Sequence, residues 1–315
     1  MNLARLASLT LLLVLAGTAA AADLRVAIVS RTVFYVPLWL AQDKGYLKDE
    51  GISATVEIFD NAEKIMEELR SGRSQIAIST PESVVVDAYR GGSLRIIAAN
   101  AERLPHFIIA RPQIRTLEQL RGARFGVLSL NEGTTYLVHR LAGAIGLKPG
   151  EYEVLAVGGA PTRWRLLQEG KIDAGLQPFP LSYEAEAAGF TNFGPISHYV
   201  SDYLFTSVNV DSKWAQQHRL LVQAFLRALK RGQEEMAARP ASAAGIAARE
   251  LKTAPALAER ALADTARLKI LSPDLSVSDA ALGSTFETVL GVGLLPPGSV
   301  YERSRMVDSG YLPGR

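Results

Sequence analysis

The chain has 315 residues, of which 48% are hydrophobic and 21% charged, with a formal net charge of +2 and no cysteine. This length suits one large domain or two lobes of moderate size, and the mixed charges argue against a nucleic-acid-binding tail. Without cysteine, the sequence excludes disulfides, thiolate metal sites, cysteine nucleophiles and a lipoprotein anchor.

The first 22 residues have the pattern of an export signal. Arg5 precedes an apolar run at 6–16, and small residues follow up to the alanines at 20–22. The apolar run is shorter than the ~20 residues that a spanning helix needs. We therefore predict Sec-dependent export to the periplasm, cleavage after Ala22 and no membrane-spanning segment, with an uncleaved anchor as the alternative.

Residues 24–60 predict a strand, a loop, a helix and a second strand. Strands are indicated at 24–29 and 54–59, and the helix between them begins near Pro37 and ends at Gly45. Such a unit implies parallel pairing, and ligands of open α/β sheets bind at the carboxyl ends of the strands. The loop at 30–35 is therefore a candidate site, with Arg31, Phe34 and Tyr35 as its candidate residues.

The next strand–helix unit predicts a second loop at the same edge. A strand at 75–79 is followed by Thr80-Pro81-Glu82-Ser83, which combines a hydroxyl cap, a first-turn proline and a first-turn acid. Thr80 and Glu82 are candidate ligand contacts, although capping alone would explain Thr80. A strand at 94–99 ends at Asn100, which is a further candidate for ligand contact or for the hinge.

A second strand–helix system follows from residue 107. Strands are predicted at 107–110, 124–130, 152–157 and 172–174, with an edge strand at 190–193. Two loops at 131–135 and 158–162 lead into helices. Candidate ligand residues here are Asn131, Gly133, Thr134, Thr135, Gly159, Gln177 and Phe179. Simple helix capping is the alternative explanation for the hydroxyl residues.

Residues 203–210 are extended and predict a crossing back to the first strand system. The chain is then helical, with an apolar stripe from Trp214 to Leu229 and helices at 241–251, 255–268 and 277–292. The tail from Pro296 is rich in glycine and proline and is expected on the surface.

The sequence lacks the familiar catalytic motifs. It has no G-x-S-x-G, Walker, H-E-x-x-H or G-x-G-x-x-G pattern, and its four histidines are scattered. We therefore predict a binding protein rather than an enzyme, with no metal and no cofactor. Helix N-termini and Arg31 together favour a small organic anion, whereas a solvated surface arginine is the alternative for Arg31.

Several motifs resemble one family. The run PLWLAQDKGYLKDEGI at 37–52 resembles the first helix of the periplasmic solute-binding proteins of ABC importers for nitrate, sulfonates, taurine and pyrimidine precursors. Residues 71–78 match a further family element except at Gln75, where the family has Asp. Other matching segments are GARFGV at 122–127, GTT at 133–135 and GKIDA at 170–174.

This resemblance implies a two-lobed α/β fold of the type II periplasmic-binding-protein class. Each lobe would be a mostly parallel sheet flanked by helices, with the ligand cleft between the lobes. The expected division is a signal peptide at 1–22, a first lobe formed by 23–109 and 204–315, and a second lobe at 110–203.

The resemblance also implies a function. The protein would be a monomer that binds a sulfonate or carboxylate and delivers it to the transmembrane subunits of an ABC permease. The alternatives are a pyrimidine- or thiamine-precursor-like heteroaromatic ligand, an enzyme on the same fold, or a module that presents its ligand to a sensor. The fungal pyrimidine-precursor synthases that resemble this family use a cysteine-rich motif, which this chain lacks.

Overall fold

The computed structural model describes residues 21–200 and 202–314, so residues 1–20 of the predicted export signal lie outside the described part. Within that part, ten strands and thirteen α-helices form. The strands are β1 (Ala22–Ile28), β2 (Ile52–Ile58), β3 (Ile76–Ser79), β4 (Leu94–Ala101), β5 (His106–Ala110), β6 (Arg124–Val127), β7 (Glu153–Ala156), β8 (Ala174–Pro178), β9 (Thr191–Pro195) and β10 (Thr206–Asp211). The helices are α1 (Val36–Asp43), α2 (Tyr46–Asp49), α3 (Ala62–Arg70), α4 (Glu82–Tyr89), α5 (Gly133–Ala144), α6 (Ala160–Gln168), α7 (Leu181–Ala187), α8 (Ser212–Gln217), α9 (Arg219–Ala238), α10 (Pro240–Leu251), α11 (Pro255–Arg267), α12 (Asp279–Gly291) and α13 (Arg303–Met306).

The strands form two five-stranded sheets of the same design. The first sheet has the order β2-β1-β3-β10-β4, and the second has the order β7-β6-β8-β5-β9. The strands β2-β1-β3 and β7-β6-β8 pair in parallel, whereas β10 and β5 are antiparallel to their neighbours. Each antiparallel strand is the first one after the chain passes from one sheet to the other. The chain therefore crosses twice, once before β5 and once before β10.

This arrangement confirms the predicted α/β fold with two sheets, and the predicted edge strand at 190–193 is confirmed as β9. One assignment differs. The sequence places residues 106–109 at the end of the first lobe, but β5 pairs with β8 and β9 of the second sheet. A short buried apolar run predicts a strand without indicating which sheet it joins, because its partners are distant in sequence.

The unit from β1 to β2 forms as predicted and supplies two paired strands of the first sheet. Pro37 lies in the first turn of α1, and Gly45 and Gly51 have φ angles of +78° and +73°. Those angles are strained for a residue with a side chain, so the two glycines permit the tight turns after α1 and α2. Helix α9 packs closely on this unit, since a Cβ at Gly232 would lie 2.1 Å from the Pro37 carbonyl oxygen.

The C-terminal helices form close to their predicted positions, and the tail is mostly exposed from Pro296 to Arg305, as expected, but its last part is buried. Val307 forms a parallel bridge with Ile96 of β4, and the Asp308 N–H donates to the Ile96 carbonyl at 2.9 Å. The side chain of Tyr311 is only 1% exposed. The last part of the tail therefore returns to the edge of the first sheet, where Met306, Val307, Tyr311 and Leu312 are buried.

Candidate functional site

The loops that follow β1 and β3 in the first sheet face the loops that follow β6 and β7 in the second. A narrow cavity of about 30 Å³ lies between them, which is room for a few water molecules. Its lining comes from both sheets and both crossings: Val29, Ser30, Thr32, Phe34, Tyr35, Thr80, His106, Leu128, Glu132, Thr134, Gly159, Ala160, Arg163, Pro178, Phe205 and Thr206. The cavity thus lies where the carboxyl ends of the parallel strands of the two sheets meet.

Three rings form one wall of this cleft cavity. Between ring centroids, Phe34 lies 5.1 Å from Phe205 and 5.9 Å from His106, and His106 lies 4.5 Å from Phe205. The imidazole of His106 is 1% exposed, and its Nδ1 has no hydrogen-bond partner among the described residues. Burial and the nearby Arg163 guanidinium hold the pKa of His106 well below 6.5, so the ring is neutral. The wall can pack against a flat ring and offers one free nitrogen.

Two buried carboxyl groups, Glu82 in α4 and Glu132 just before α5, lie at the cleft. Glu82 Oε1 accepts a hydrogen bond from the Tyr203 hydroxyl at 2.5 Å, and Glu132 Oε1 accepts one from the Thr134 hydroxyl. The Oε2 atom of each glutamate has no partner among the described residues. Burial, together with the charge of Glu132, raises the pKa of Glu82 to about 8, and burial raises the pKa of Glu132. Glu82 therefore keeps its proton near neutral pH.

Gly133 leaves room for the hydrogen-bonded pair of Glu82 and Tyr203. A Cβ at position 133 would lie 2.4 Å from Glu82 Oε1 and 3.0 Å from the Tyr203 hydroxyl. The sequence predicts that Gly133 lets a ligand approach the N-terminus of α5, but the protein's own Glu82 occupies that place. The positive end of the α5 dipole stabilises an acceptor at this position.

Arg163 in α6 supplies the cation of the cleft cavity. Its side chain is 3% exposed, its Nη1 donates to the Gly158 carbonyl at 3.1 Å, and its Nη2 donates to the Leu176 carbonyl at 2.8 Å. Its Nε has no partner among the described residues. Burial lowers the pKa of Arg163 to about 10, against the opposing charge of Glu132. The guanidinium therefore remains charged at neutral pH and has one N–H available to the cavity.

Arg31, the cation that the sequence points to, lies elsewhere. Its Nη1 contacts Glu250 Oε2 at 2.6 Å and the Glu250 carbonyl oxygen at 3.2 Å, and its guanidinium carbon lies 6.0 Å from the centre of the Trp39 ring. The side chain is half-buried and does not line the cleft cavity. In this structure Arg31 joins the end of α10 to the loop after β1.

Acidic side chains of the first sheet also close the cleft from its outer side. Asp60 accepts hydrogen bonds from the Gly159 N–H and, at 2.8 Å, from the Thr162 hydroxyl at the start of α6. Glu63 accepts one from the Ser129 hydroxyl of the second sheet. Because these bonds join the two halves of the molecule, they stabilise the narrow form of the cleft.

Five of the predicted site residues line the cleft cavity: Phe34, Tyr35, Thr80, Thr134 and Gly159. Thr80 does so for an unexpected reason. Helix α4 begins after Pro81 without a side-chain cap, and the Thr80 Oγ1 atom is buried with no partner among the described residues. The predicted cap is therefore wrong, and the Thr80 hydroxyl lies beside the Glu82 carboxyl group instead.

Two further predicted residues hold the cavity walls in place from behind. Asn100 is fully buried and its amide donates to the Phe34 carbonyl at 3.1 Å. Gln177, with its amide turned to satisfy both atoms, donates to the Ala160 carbonyl and accepts from the Trp164 N–H, each at 3.2 Å. Both residues therefore position the loops that line the cavity, rather than lining it themselves.

The last three predicted residues do not reach the cleft cavity. The Thr135 hydroxyl donates to the Ser129 carbonyl at 2.7 Å, and Phe179 stacks on Tyr183 with 5.1 Å between centroids. Asn131 is exposed on the outer rim of the cleft. Thr135 and Phe179 therefore serve the local structure of the second sheet.

Glu132, Arg163 and Phe205 line the cleft cavity but are not among the predicted site residues. Glu132 was visible as an acid directly before Gly-Thr-Thr, at the N-terminus of a helix that follows a strand. Phe205 lies within the predicted crossing, and crossings of two-sheet proteins border the cleft. Arg163 carries no local signal stronger than its place in the first turn of a helix.

Comparison with known proteins identifies relatives for most of the chain. A family model described as "NMT1/THI5 like" matches residues 34–243. The chain is 30% identical over 105 residues to the putative binding protein YtlA of Bacillus subtilis, across 32% of this chain and 31% of that protein. It is 24% identical over 149 residues to the 4-amino-5-hydroxymethyl-2-methylpyrimidine phosphate synthase THI12 of Saccharomyces cerevisiae, across 46% and 42% of the two chains. The matches thus span less than half the length of these curated relatives.

Solved structures match nearly the whole chain at low identity. The ligand-binding component of an ABC-type import system from Staphylococcus aureus has a TM-score of 0.77 at 16% identity, covering 92% of this chain and 97% of that one. The alkanesulfonate-binding protein SsuA of Xanthomonas axonopodis pv. citri, bound to MOPS, has a TM-score of 0.71 at 18% identity, covering 87% and 94%. The nitrate-binding protein NrtA of Synechocystis has a TM-score of 0.73 at 12% identity, covering 88% and 83%. At these identities the likeness establishes the fold.

Proposed function

The chain belongs to the NMT1/THI5-like family and has the periplasmic-binding-protein fold, and from this premise we propose that it is the ligand-binding component of an ABC importer. The ligand would be a small aminated heteroaromatic molecule held in the cleft between the two sheets. One neighbour in fold is the ligand-binding component of an import system, and one relative is named for a pyrimidine product. Both facts support this choice.

The free oxygen of Glu132, beside the aromatic wall, carries the assignment of ligand class. Glu132 Oε2 lies buried at the cleft cavity, has no partner within residues 21–200 and 202–314, and can accept an N–H. A buried acceptor left unpaired costs free energy, so a ligand that donates to it gains affinity. The Phe34, Phe205 and His106 rings supply a surface on which a flat ring can pack. An amino-substituted heteroaromatic offers both features.

Charge balance favours a neutral ligand over an anion. The Arg163 guanidinium lies near Glu132 and Asp60, which oppose its charge, and two of its hydrogen bonds are already made to backbone carbonyls. The prediction of an anionic ligand depended on the helix N-termini together with Arg31, whose guanidinium is paired with Glu250. A buried site that already contains carboxyl groups penalises a further negative charge.

An organic anion is the second candidate, and one observation favours it. Arg163 Nε has no partner among the described residues, and the N-termini of α4, α5 and α6 all lie at the cleft. Helix N-termini bind anions through their free N–H groups. The variant Glu132→Gln separates the two candidates. It should lower the affinity for an amino-substituted heteroaromatic and raise the affinity for an anion, because it removes a negative charge.

The cleft must widen before a ring enters. The cavity of about 30 Å³ holds a few waters, and the Asp60 and Glu63 contacts keep the two sheets together. Hinge closure about two crossings is a usual motion of binding proteins with this architecture. We therefore propose that the ligand binds to an open form and that the cleft closes on it.

We propose binding without turnover, and delivery to a membrane permease. None of the helices in residues 21–200 and 202–314 combines the length and hydrophobicity needed to cross a bilayer. In the same residues no group of three or more His, Asp or Glu side chains could hold a metal ion. Presentation of the ligand to a sensor remains the alternative destination.

Thermal shift and calorimetric titration of the secreted protein test the ligand class. The panel contains 4-amino-5-hydroxymethyl-2-methylpyrimidine, an alkanesulfonate, benzoate and nitrate. We expect the pyrimidine to raise the melting temperature of the protein and to be recovered with its own mass unchanged after incubation. Glu132→Gln should weaken the pyrimidine at least tenfold, while Glu287→Gln on the exposed face of α12 should not. If the sulfonate or nitrate binds and the pyrimidine does not, and if the anion binds Glu132→Gln more tightly than the wild type, the anion candidate is supported instead.

Mass spectrometry tests the export proposal on the same material. Protein secreted to the periplasm should begin at Asp23, because the small residues at 20–22 fit the signal peptidase pattern. A chain that keeps residues 1–22 would contradict cleavage. Detection of a chemically altered ligand in the same spectra would contradict binding without turnover.

A further inference from the structure

A second and much larger cavity lies outside the cleft, among the C-terminal helices. Its volume is about 710 Å³, within the range of small-molecule sites, and it is bounded by α9, the end of α11 and the start of α12. Glu102 and Arg103 from the first crossing and Asp202 from the second also border it. It shares no lining residue with the cleft cavity, so it is a separate space.

The walls of this second cavity are mainly apolar and are attached to the first sheet. Met236 of α9 is 2% exposed at its base. Leu271 forms an antiparallel bridge with Ala101, and the Ser272 N–H donates to the Asn100 carbonyl at 3.1 Å. This side of the cavity is therefore held by backbone hydrogen bonds to β4, which gives it a fixed shape.

One buried polar group in this lining lacks partners. Gln233 is 5% exposed, and neither its Nε2 nor its Oε1 has a hydrogen bond among the described residues. The buried hydroxyls beside it are satisfied, since Thr265 donates to the Ala261 carbonyl at 2.7 Å and Ser272 donates to the Ser276 carbonyl at 2.8 Å. Buried amides are normally paired, so an unpaired one beside a cavity indicates a missing partner.

We propose that this cavity is a second ligand site, which takes a neutral and mainly apolar molecule with one carboxamide or lactam group. Gln233 requires a donor and an acceptor side by side, and an amide offers both. A carboxylic acid is ionised at neutral pH and offers acceptors only, so it would leave the Gln233 oxygen unpaired.

The charges around the mouth agree with a neutral ligand. Arg103 and Lys269 are cationic, and Asp202 and Glu234 are anionic, so the charges of these four side chains balance. Glu102 at the same mouth is engaged, because its carboxylate accepts the Ser278 N–H at 2.6 Å. The apolar walls and the Gln233 amide are therefore the features that select the ligand.

A matched pair of probes tests this site in the full secreted protein. We expect 4-phenylbutanamide to bind in calorimetric or NMR titration, and 4-phenylbutanoate to bind at least tenfold more weakly. Gln233→Leu, which removes the unpaired amide at similar volume, should weaken the amide probe at least tenfold. Ala266→Trp fills the cavity from its exposed rim and should abolish binding, while the cleft variant Glu132→Gln should leave it unchanged.

Three results would overturn the proposal. Equal affinity for the amide and the acid would remove the role of Gln233 in selection. Unchanged binding in either Gln233→Leu or Ala266→Trp would place the probe elsewhere. Loss of binding in Glu132→Gln would place it in the cleft. The cavity variant at Ala266 keeps the test decisive even if Gln233→Leu folds poorly.

Discussion

Replacing Glu82 by glutamine should remove a large pH-dependent loss of stability. A glutamate has a pKa of 4.5 when unperturbed, and burial near Glu132 raises that of Glu82 in the folded protein to about 8. Because the folded state holds this proton more tightly, the contribution of Glu82 is most favourable below pH 4.5 and is lost as the pH rises through 8. At about 1.4 kcal/mol for each pKa unit, the loss reaches about 5 kcal/mol.

The Glu82→Gln variant cannot ionise, and its amide oxygen can still accept the Tyr203 hydroxyl. We therefore expect its free energy of unfolding in urea to match the wild type within about 1 kcal/mol at pH 4.5 and to exceed it by several kcal/mol at pH 8.5. Glu287→Gln, at an exposed position of α12, is the matched control and should track the wild type at both values. A difference between Glu82→Gln and wild type that does not change with pH would refute the reasoning.

Three other perturbations test the geometry of the cleft. Gly133→Ala should lose roughly 1–3 kcal/mol of unfolding free energy, because its Cβ would lie 2.4 Å from Glu82 Oε1. Gly143→Ala in the same helix meets nothing within 4 Å and should be neutral or stabilising, so equal costs for the two would contradict the contact. Arg31→Ala should leave the affinity of the cleft ligand within about twofold and cost at most about 1 kcal/mol, as expected of a partly exposed ion pair; a tenfold loss of affinity would return Arg31 to the site. Asp60→Ala should open the ligand-free cleft, measured as a larger radius of gyration in solution X-ray scattering, and an unchanged radius would show that Asp60 does not hold it closed.

The first sheet could be predicted because its signals are local. Pro37 at the start of α1, and the glycines at 45 and 51 with their left-handed φ angles, delimit the elements between β1 and β2 within a few residues. The sheet joined by β5 could not be predicted in the same way. Its partners in β8 and β9 lie more than 60 residues away, and an apolar strand of five residues fits either sheet.

The candidate site was predictable to the extent that strand ends determine it. Phe34 and Thr80 reach the cleft because each follows a strand whose carboxyl end faces it. The choice of cation depended on tertiary contacts instead. Arg31 and Arg163 both lie in loops or first turns near the cleft, but Arg31 is bound by Glu250, 219 residues along the chain. The surroundings of Glu82 likewise depend on a residue distant in sequence, since the Tyr203 hydroxyl donates to its carboxyl group.

The return of the tail to β4 has a consequence for solubility. β4 is the outermost strand of the first sheet, and such a strand normally offers unpaired N–H and C=O groups to any passing strand of another molecule. Here the backbone of 270–275 forms hydrogen bonds with the carboxyl end of β4, where the Ala99 N–H donates to the Leu275 carbonyl. The Asp308 N–H donates to the Ile96 carbonyl. Residues 270–275 and Asp308 thus bond to backbone groups of β4 that a strand of another molecule could otherwise pair with. In this way they protect this edge of the first sheet against aggregation.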